Sequence, residues 1–321
     1  MALLSSAYEL VQRLNAGGNT NIFLYRHLPS NDIVVIKKIP VTASSMEVLP
    51  LDCAAYKEMH INHIIANHAY EGIVSMRDSF LVDDALHLVF EYCVGGDMLT
   101  QLVTSFNSTW TESDAVAVFK QVAGAVNHLH GLEIAHGDIS LENILVHDGV
   151  HSVKLCDFGL AMVRAVTRYA GVGKLYYMSP EMHLRRPYNA LASDRWALGI
   201  LLFMLVTGRP LFEKAAMTDP TFHLFFHAQA ADPATGIQRV LEAHPSSRSV
   251  SENAVDLLTK LLRPSASERL SMAQVLAHPL FQPEPPVVTR QRRAASSPLL
   301  SHISRASALP LSYFKSITTA M

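Results

Sequence analysis

Polar and apolar positions alternate over the first forty residues in the manner of a half-buried sheet. Tyr8–Leu14, Ile22–His27 and Ile33–Ile39 read as strands, separated by Asn15–Asn21 (with Gly17-Gly18) and by Pro29-Ser30-Asn31-Asp32. A helical period follows over Asp52–Asn67, and strand patterns return at Ile73–Val82 and Leu86–Cys93. Beyond Gly95-Gly96 the period becomes that of helices. Thr111-x-x-Asp114 has the form of a capping box and opens a helix to His130, with Val116, Phe119, Val122, Ala123, Val126 and Leu129 on one face. Asp148-Gly149 marks a hairpin, and helical patterns recur from Leu191, around Val255–Leu262 and at Ser271–Ala277. The pattern predicts an α+β chain: a small five-stranded sheet lobe with one helix, then a larger, mainly helical lobe. No internal repeat is visible.

Composition agrees with a folded chain of that size. The 321 residues are 49% hydrophobic and 17% charged, with a formal net charge of −2. Such a balance gives no reason to expect nucleic acid or an anionic membrane as partner. Cys53, Cys93 and Cys156 stand far apart, which speaks against a disulfide framework or a zinc site. No leader pattern is read over Met1–Leu14, and the most apolar stretch, Ala197–Val206, is too short for about 30 Å of hydrocarbon. It reads as a buried helix, and the expectation is a soluble, cytoplasmic protein with the nucleus open to it. Past Phe281 the texture changes once more. Five basic residues (Arg290, Arg292, Arg293, Arg305, Lys315) face one acid, Glu284, among prolines and serines, and 282–321 reads as a flexible basic tail.

Several short motifs then occur in one order. Val34-Val35-Ile36-Lys37 resembles the Lys-bearing strand of protein kinases, and His136-Gly137-Asp138-Ile139-Ser140-Leu141-Glu142-Asn143 resembles their catalytic loop. Asp157-Phe158-Gly159, Ser179-Pro180-Glu181, Asp194-x-Trp196-x-x-Gly199 and Arg269 complete the likeness, which runs over about residues 8–281. The chain is identified by these motifs as a member of the eukaryotic-type protein kinases, closest in pattern to Ser/Thr kinases. The resemblance implies the bilobal kinase fold: a small lobe over 1–90, a hinge over 91–97, a large lobe over 98–281 and the tail.

It also implies a set of site residues. Lys37 would grip the nucleotide phosphates and be held by an ion pair to Glu58, chosen because it shares a helix face with Ile61 and Ile65. A solvated helix carboxylate is the alternative for Glu58, with Lys57 and Glu47 close by in sequence. Asp157 and Asn143 would supply hard oxygen ligands for Mg²⁺, and Asp138 would accept the proton of the substrate hydroxyl. Leu14, Gly17, Ile22, Val35, Leu145, the Glu91 carbonyl, the Cys93 backbone and Asp97 would surround the ATP, with Phe90 closing the back of the pocket. His136 and Phe158 would stack with Met76 in a column linking the lobes. Its fourth position falls on Asn62, where a polar group is costly to bury without a partner.

Four departures qualify the likeness. The phosphate-covering loop keeps only Gly17 of three glycines, with Asn15 and Thr20 at the outer positions, and Val35 thickens the adenine roof; both predict weaker ATP affinity. Gly137 replaces the arginine that ordinarily receives a phosphate on the activation segment. Ser140 stands where Ser/Thr kinases carry a lysine, and Lys174 stands where they carry a threonine. Lysine and hydroxyl have changed sides. Lys174 is therefore expected either to pair with Asp138 in place of the missing lysine or to point into solvent.

The function expected is transfer of the γ-phosphate of Mg-ATP to a Ser/Thr hydroxyl of a protein substrate. The alternative is a pseudokinase, a scaffold or allosteric partner with little turnover. A small-molecule kinase fits less well, given the Ser179-Pro180-Glu181 segment. In the tail, Arg293-Ala294-Ala295-Ser296-Ser297-Pro298 resembles a basophilic phosphorylation site and, once modified, a 14-3-3 docking motif; an unmodified polar tail is the alternative.

Overall fold

A computed structural model of the chain describes residues 7–14, 21–41, 53–106, 108–163, 167–168, 173–184, 187–244 and 249–282. The loop residues Asn15–Thr20, with Gly17, lie outside that set, as do Tyr169 and the tail with Ser296.

Strands β1 (Tyr8–Arg13), β2 (Asn21–His27), β3 (Ile33–Pro40), β4 (Met76–Val82) and β5 (Ala85–Glu91) form one antiparallel sheet in the order β1-β2-β3-β5-β4. Alternation decides what each face of β3 does. Val34 and Ile36 are buried in a cluster with Val89, while Val35 and Lys37 project half-buried from the opposite face. The β4–β5 hairpin turns on Asp83 and Asp84, both at positive φ (49° and 53°). Two left-handed residues are what a tight hairpin with the native strand twist requires, and aspartate tolerates that backbone better than most side chains.

The fourth strand is shorter than its pattern suggests. Ile73 and Val74 leave the sheet and join the large lobe, where Val74 N–H donates to the Leu155 carbonyl (2.9 Å) and Leu155 N–H to that of Gly72 (2.8 Å). Period-2 alternation marks an extended segment but not which sheet receives it. The fifth strand likewise ends at Glu91 rather than Cys93, and the chain passes from there into the large lobe.

Helix α1 (Ala54–Asn67) buries Ala55, Glu58, Ile61, Asn62 and Ile65. Ala55 belongs to the small-lobe cluster with Met76, Leu86 and Leu88, whereas Ile61 and Ile65 belong to the large-lobe core. One helix thus ties the two cores together. Asn62 is 2% exposed, and its Nδ2 donates to the Glu58 carbonyl one turn earlier (2.9 Å). The helix register is the expected one, and the amide finds its partner in its own backbone.

The large lobe begins with α2 (Met98–Ser105) and α3 (Glu112–Gly131). The capping box forms as expected: Thr111 Oγ1 accepts from Asp114 N–H, and the Asp114 carboxylate accepts from Thr111 N–H. The buried face of α3 is broader than the six positions named from the period. Ala115, Val118 and Ala125 join it, and Val116 is only half-buried. Next come β6 (Ile134–Ala135), the β7 (Ile144–Asp148)–β8 (Ser152–Leu155) hairpin and the short β9 (Met162–Val163), which pairs with β6.

Helix α4 (Pro180–His183) precedes α5 (Ala190–Thr207), which packs against α3. At 18 residues α5 is longer than the apolar stretch within it suggests, and it has the length and hydropathy of a membrane span. However, 89% of it is buried inside the fold, so it is the central helix of the lobe core. Helices α6 (Pro220–Ala231), α7 (Gly236–Ala243), α8 (Glu252–Leu261) and α9 (Met272–Leu276) complete the lobe.

Candidate active site

Lys37 sits on β3 opposite Ile22 of β2 and Leu88 of β5, which sets the height of its side chain in the sheet. Its Nζ donates to Glu58 Oε1 (2.7 Å) and to Asp157 Oδ1 (2.9 Å). Glu58 is 5% exposed, so the solvated-carboxylate alternative does not hold. Burial works against the Lys37 ammonium, but the two carboxylates outweigh it and hold the lysine above its ordinary value. Burial pushes the Asp157 carboxyl up, yet the charge and hydrogen bond of Lys37 together with the Gly159 N–H outweigh it and keep the group below the usual carboxylate range. Lys37 and Asp157 are therefore both charged at neutral pH.

Asp157 itself is bent into place. Its φ is +63°, and its Oδ1 also accepts from the N–H of Gly159 (3.2 Å). A Cβ on Gly159 would come within 3.4 Å of Glu58 Oε2 and 3.3 Å of Asp157 Oδ1, so glycine lets the turn approach both acids. Phe158, buried between them, stacks on His136 with ring centroids 5.2 Å apart.

The catalytic-loop residues are held from below by Asp194 of α5. Its carboxylate accepts from the N–H of His136 (2.8 Å) and of Gly137 (3.0 Å) and contacts His130 Nε2 (3.0 Å). His136 accepts from Asp138 N–H at Nδ1 (3.2 Å) and donates from Nε2 to the Cys156 carbonyl (3.0 Å), which selects one tautomer. Gly137 lies at φ +79°, and a Cβ there would meet the Leu160 carbonyl oxygen at 2.7 Å. Any larger residue would need the Leu160 backbone to move.

Asp138 presents its two oxygens differently. Oδ2 accepts from Asn143 Nδ2 (2.8 Å) and from Lys174 Nζ (3.3 Å), while Oδ1 is buried with no hydrogen-bond partner. An orphaned buried carboxylate oxygen is unfavourable unless something else supplies a proton. Asn143 also donates to the Asp138 backbone carbonyl (2.8 Å), so its amide nitrogen is committed and its amide oxygen is left as a donor atom for a cation. Lys174 reaches the same place from the segment before α4 and lies 2.8 Å from Ser140 Oγ.

The remaining residues expected around a nucleotide, Gly17 aside, lie at the end of β1, on β2, β3 and β7, and from the end of β5 onward. Leu14 N–H donates to the Ile22 carbonyl (2.9 Å), closing the base of the loop between them. Val35 lies directly opposite Phe90, and Leu145 of β7 forms an isolated bridge with Asp97. The carboxylate of Asp97 is already engaged: it caps α2 through Thr100 N–H (2.8 Å) and also accepts from Thr100 Oγ1 (2.9 Å). Glu91 carries a role that its sequence context does not reveal. Its carboxylate binds Lys154 of β8 through both oxygens (2.8 Å each) and accepts from Ser75 N–H (2.8 Å), bracing the hinge against the large lobe. These partners lie 63 and 16 residues away, where no local pattern signals them.

Cys93 and Cys156 behave as small buried hydrophobes. Burial pushes the Cys93 thiol up to about 11 and the Cys156 thiol higher still, so both stay protonated at neutral pH.

The region is knit together by Glu181 and Arg269. The Arg269 guanidinium is fully buried and donates to both Glu181 oxygens (2.6 and 2.7 Å), anchoring the segment that carries Lys174 to the end of the large lobe.

No group of three His, Cys, Asp or Glu residues able to hold a metal occurs among the described residues. Two oxygen donors, from Asp157 and Asn143, suit Mg²⁺, which is held by one or two carboxylates and completes its shell with water and phosphate oxygens.

A lysine paired to a helix glutamate, a bent acid beside it and an asparagine-clamped aspartate are joined where Cys156 N–H donates to the Asn143 carbonyl (2.9 Å), and residues 8–281 match the family described as protein kinase domain. The chain belongs to that family. The kinase domain is 30% identical to Aurora kinase C of Mus musculus over 274 residues, covering 85% of this chain and 90% of the relative. It is 27% identical to the serine/threonine-protein kinase SAPK9 of Oryza sativa subsp. japonica over 278 residues, covering 85% of this chain and 71% of that one. A third relative, the serine/threonine-protein kinase PLK4 of Drosophila willistoni, is 28% identical over 277 residues, and the match spans only 32% of its length.

Proposed function

We propose that this kinase domain is catalytically active and transfers the γ-phosphate of Mg-ATP to a Ser/Thr hydroxyl of a protein. The observation that carries the proposal is the three-way contact of Lys37 with Glu58 and Asp157. A fold that buries the Lys37–Glu58 pair and sets a third, half-exposed carboxylate against it has a stability cost that a scaffold does not need. The relatives named as serine/threonine-protein kinases support the hydroxyl class, as does Glu142 immediately before Asn143.

Each residue has a task in the transfer. Lys37 binds phosphate oxygens and is oriented for it by Glu58. Asp157 and the Asn143 amide oxygen would hold Mg²⁺, which neutralises developing phosphate charge when bound. Asp138 Oδ1 takes the proton of the substrate hydroxyl as the hydroxyl oxygen bonds to the γ-phosphorus. The bond from that phosphorus to the β–γ bridging oxygen breaks, and ADP leaves with the electron pair.

The test is incorporation of labelled γ-phosphate into a generic protein substrate by wild type and by Asp157→Ala. Wild type is expected to incorporate label and the variant to lose it. A wild type that incorporates none and shows no thermal shift with Mg-ATP would establish the scaffold reading instead.

Gly137 supplies no guanidinium for an activation-segment phosphate, so activity is expected not to require phosphorylation at Thr167 or Tyr169. The double variant Thr167→Ala/Tyr169→Phe should keep wild-type turnover in the same assay; its inactivity would show that another group receives the phosphate.

A further inference from the structure

The catalytic loop from His136 to Asn143 contains two carboxylates, Asp138 and Glu142, and no lysine or arginine. Both carboxylates are mostly buried, with side chains 16% and 17% exposed, and each has an oxygen with no hydrogen-bond partner. Negative charge held away from water needs a cation nearby. Among the described residues, that cation is Lys174, 3.3 Å from Asp138 Oδ2 and 4.0 Å from Glu142 Oε1.

Its position is built rather than incidental. Ser140 is fully buried, and its hydroxyl accepts from the Lys174 ammonium at 2.8 Å. Gly173, at φ +90°, lies so close to the loop that a Cβ would stand 3.1 Å from Asp138 Oδ1 and from the Gly137 carbonyl oxygen. On the other side of Lys174, the buried Tyr177 hydroxyl accepts from Leu141 N–H at 3.2 Å. The segment is therefore pinned to the catalytic loop both before and after the lysine. An ammonium has three donors. Two are placed, on Ser140 and Asp138, and the third is available to an incoming phosphate oxygen.

We propose that Lys174 is the cation that stabilises the transferred phosphate, supplied by the segment of residues 173–177 instead of by the catalytic loop. The proposal rests on the kinase reading above and adds to it a source of charge. Lys174 forms no covalent bond and moves no proton. It offsets charge that grows on the γ-phosphate oxygens while keeping Asp138 Oδ2 occupied, so that Oδ1 faces the hydroxyl proton. One consequence is a coupling: the site has its full charge only while residues 173–177 lie against the loop. Such a contact can do the work that a phosphate on an arginine does elsewhere, which suits a chain with Gly137.

The test compares wild type, Lys174→Met and the exchange variant Ser140→Lys/Lys174→Thr, with thermal melting to verify that each folds. Lys174→Met is expected to lower kcat by about 10²–10³-fold, the loss seen when one transition-state donor is removed. Calorimetric titration with Mg-ATP and Mg-ADP supplies a second readout without turnover. The variant should lose ATP affinity while binding ADP as wild type does, because only ATP carries the γ-phosphate. The exchange variant, with the lysine returned to the loop, should recover at least a tenth of wild-type kcat. A Lys174→Met enzyme within threefold of wild type in kcat, or one that loses ATP and ADP affinity equally, would overturn the proposal. The kinase reading fails separately, through an inactive wild type, and ATP-over-ADP discrimination still decides the role of Lys174 in that case.

Discussion

Asp138→Asn will lower the rate of phosphoryl transfer by about 10²–10⁴-fold, the range for loss of a positioned proton acceptor. It will leave binding of Mg-ATP within a few-fold of wild type. The substitution keeps the shape of the side chain, and its amide oxygen can still accept from Asn143 Nδ2, now 2.8 Å from Asp138 Oδ2. What it removes is the basic oxygen. Oδ1 is buried without a partner, and an amide nitrogen in its place presents hydrogens to the substrate hydroxyl and cannot take one. Single-turnover transfer and calorimetric binding measure the two quantities separately. Wild-type transfer by this variant would mean that the hydroxyl proton leaves by another route. Equal losses in binding and transfer would make Asp138 a structural residue of the loop.

The second large effect is on stability. Glu181→Ala is expected to destabilise the kinase domain by about 3–5 kcal/mol, the range for removing one partner of a buried pair. The guanidinium left behind is fully buried. It keeps the carbonyls of Ala192 (2.9 Å), Arg263 (2.8 Å) and Pro264 (3.2 Å) and its place over the Trp196 ring (5.1 Å), but it loses its carboxylate partner. Arg195 makes matters worse, because burial and the Arg269 charge already press its own guanidinium below the usual value. Urea unfolding with an unchanged m-value would measure the loss. A loss under 1 kcal/mol would mean that the three carbonyls and the ring suffice.

The pH dependence of the same pair has a definite sign. Burial pushes the Glu181 carboxyl up, but the Arg269 hydrogen bonds and charge outweigh it and hold the carboxyl below the usual glutamate range. Its contribution is therefore complete above the ordinary glutamate value of about 4.3 and is lost as pH falls through the lower, folded-state value. Arg269→Met should flatten this part of the acid limb.

Much of the site was legible in order of residues alone. Lys37, Asp138, Asn143 and Asp157 stand out because phosphoryl transfer needs a fixed cation, a proton acceptor and hard metal ligands, and the motifs around them recur in one sequence. The α3 capping box was legible for a different reason: both its hydrogen bonds close within four residues. Glu58 was a choice among neighbours on a helix, since its partner Lys37 lies 21 residues away in the chain.

Lys174 marks the boundary most clearly. The sequence by itself determined that a lysine and a hydroxyl had exchanged places, and hence that the catalytic loop lacked its own cation. Whether the ammonium reached Asp138 or water depended on where the segment lay, a matter of contacts 34 to 36 residues apart and of a glycine at φ +90° that permits the approach. The same division holds for Glu91, Asp97 and Asn62. Their residue types were plain, but the partners that occupy them, Lys154, Thr100 and the Glu58 carbonyl, belong to geometry. Sequence determined the chemistry available to this domain because side-chain functional groups are local properties. Tertiary structure decided which of those groups meet, because burial and distance set whether a charge is paired, idle or free to act.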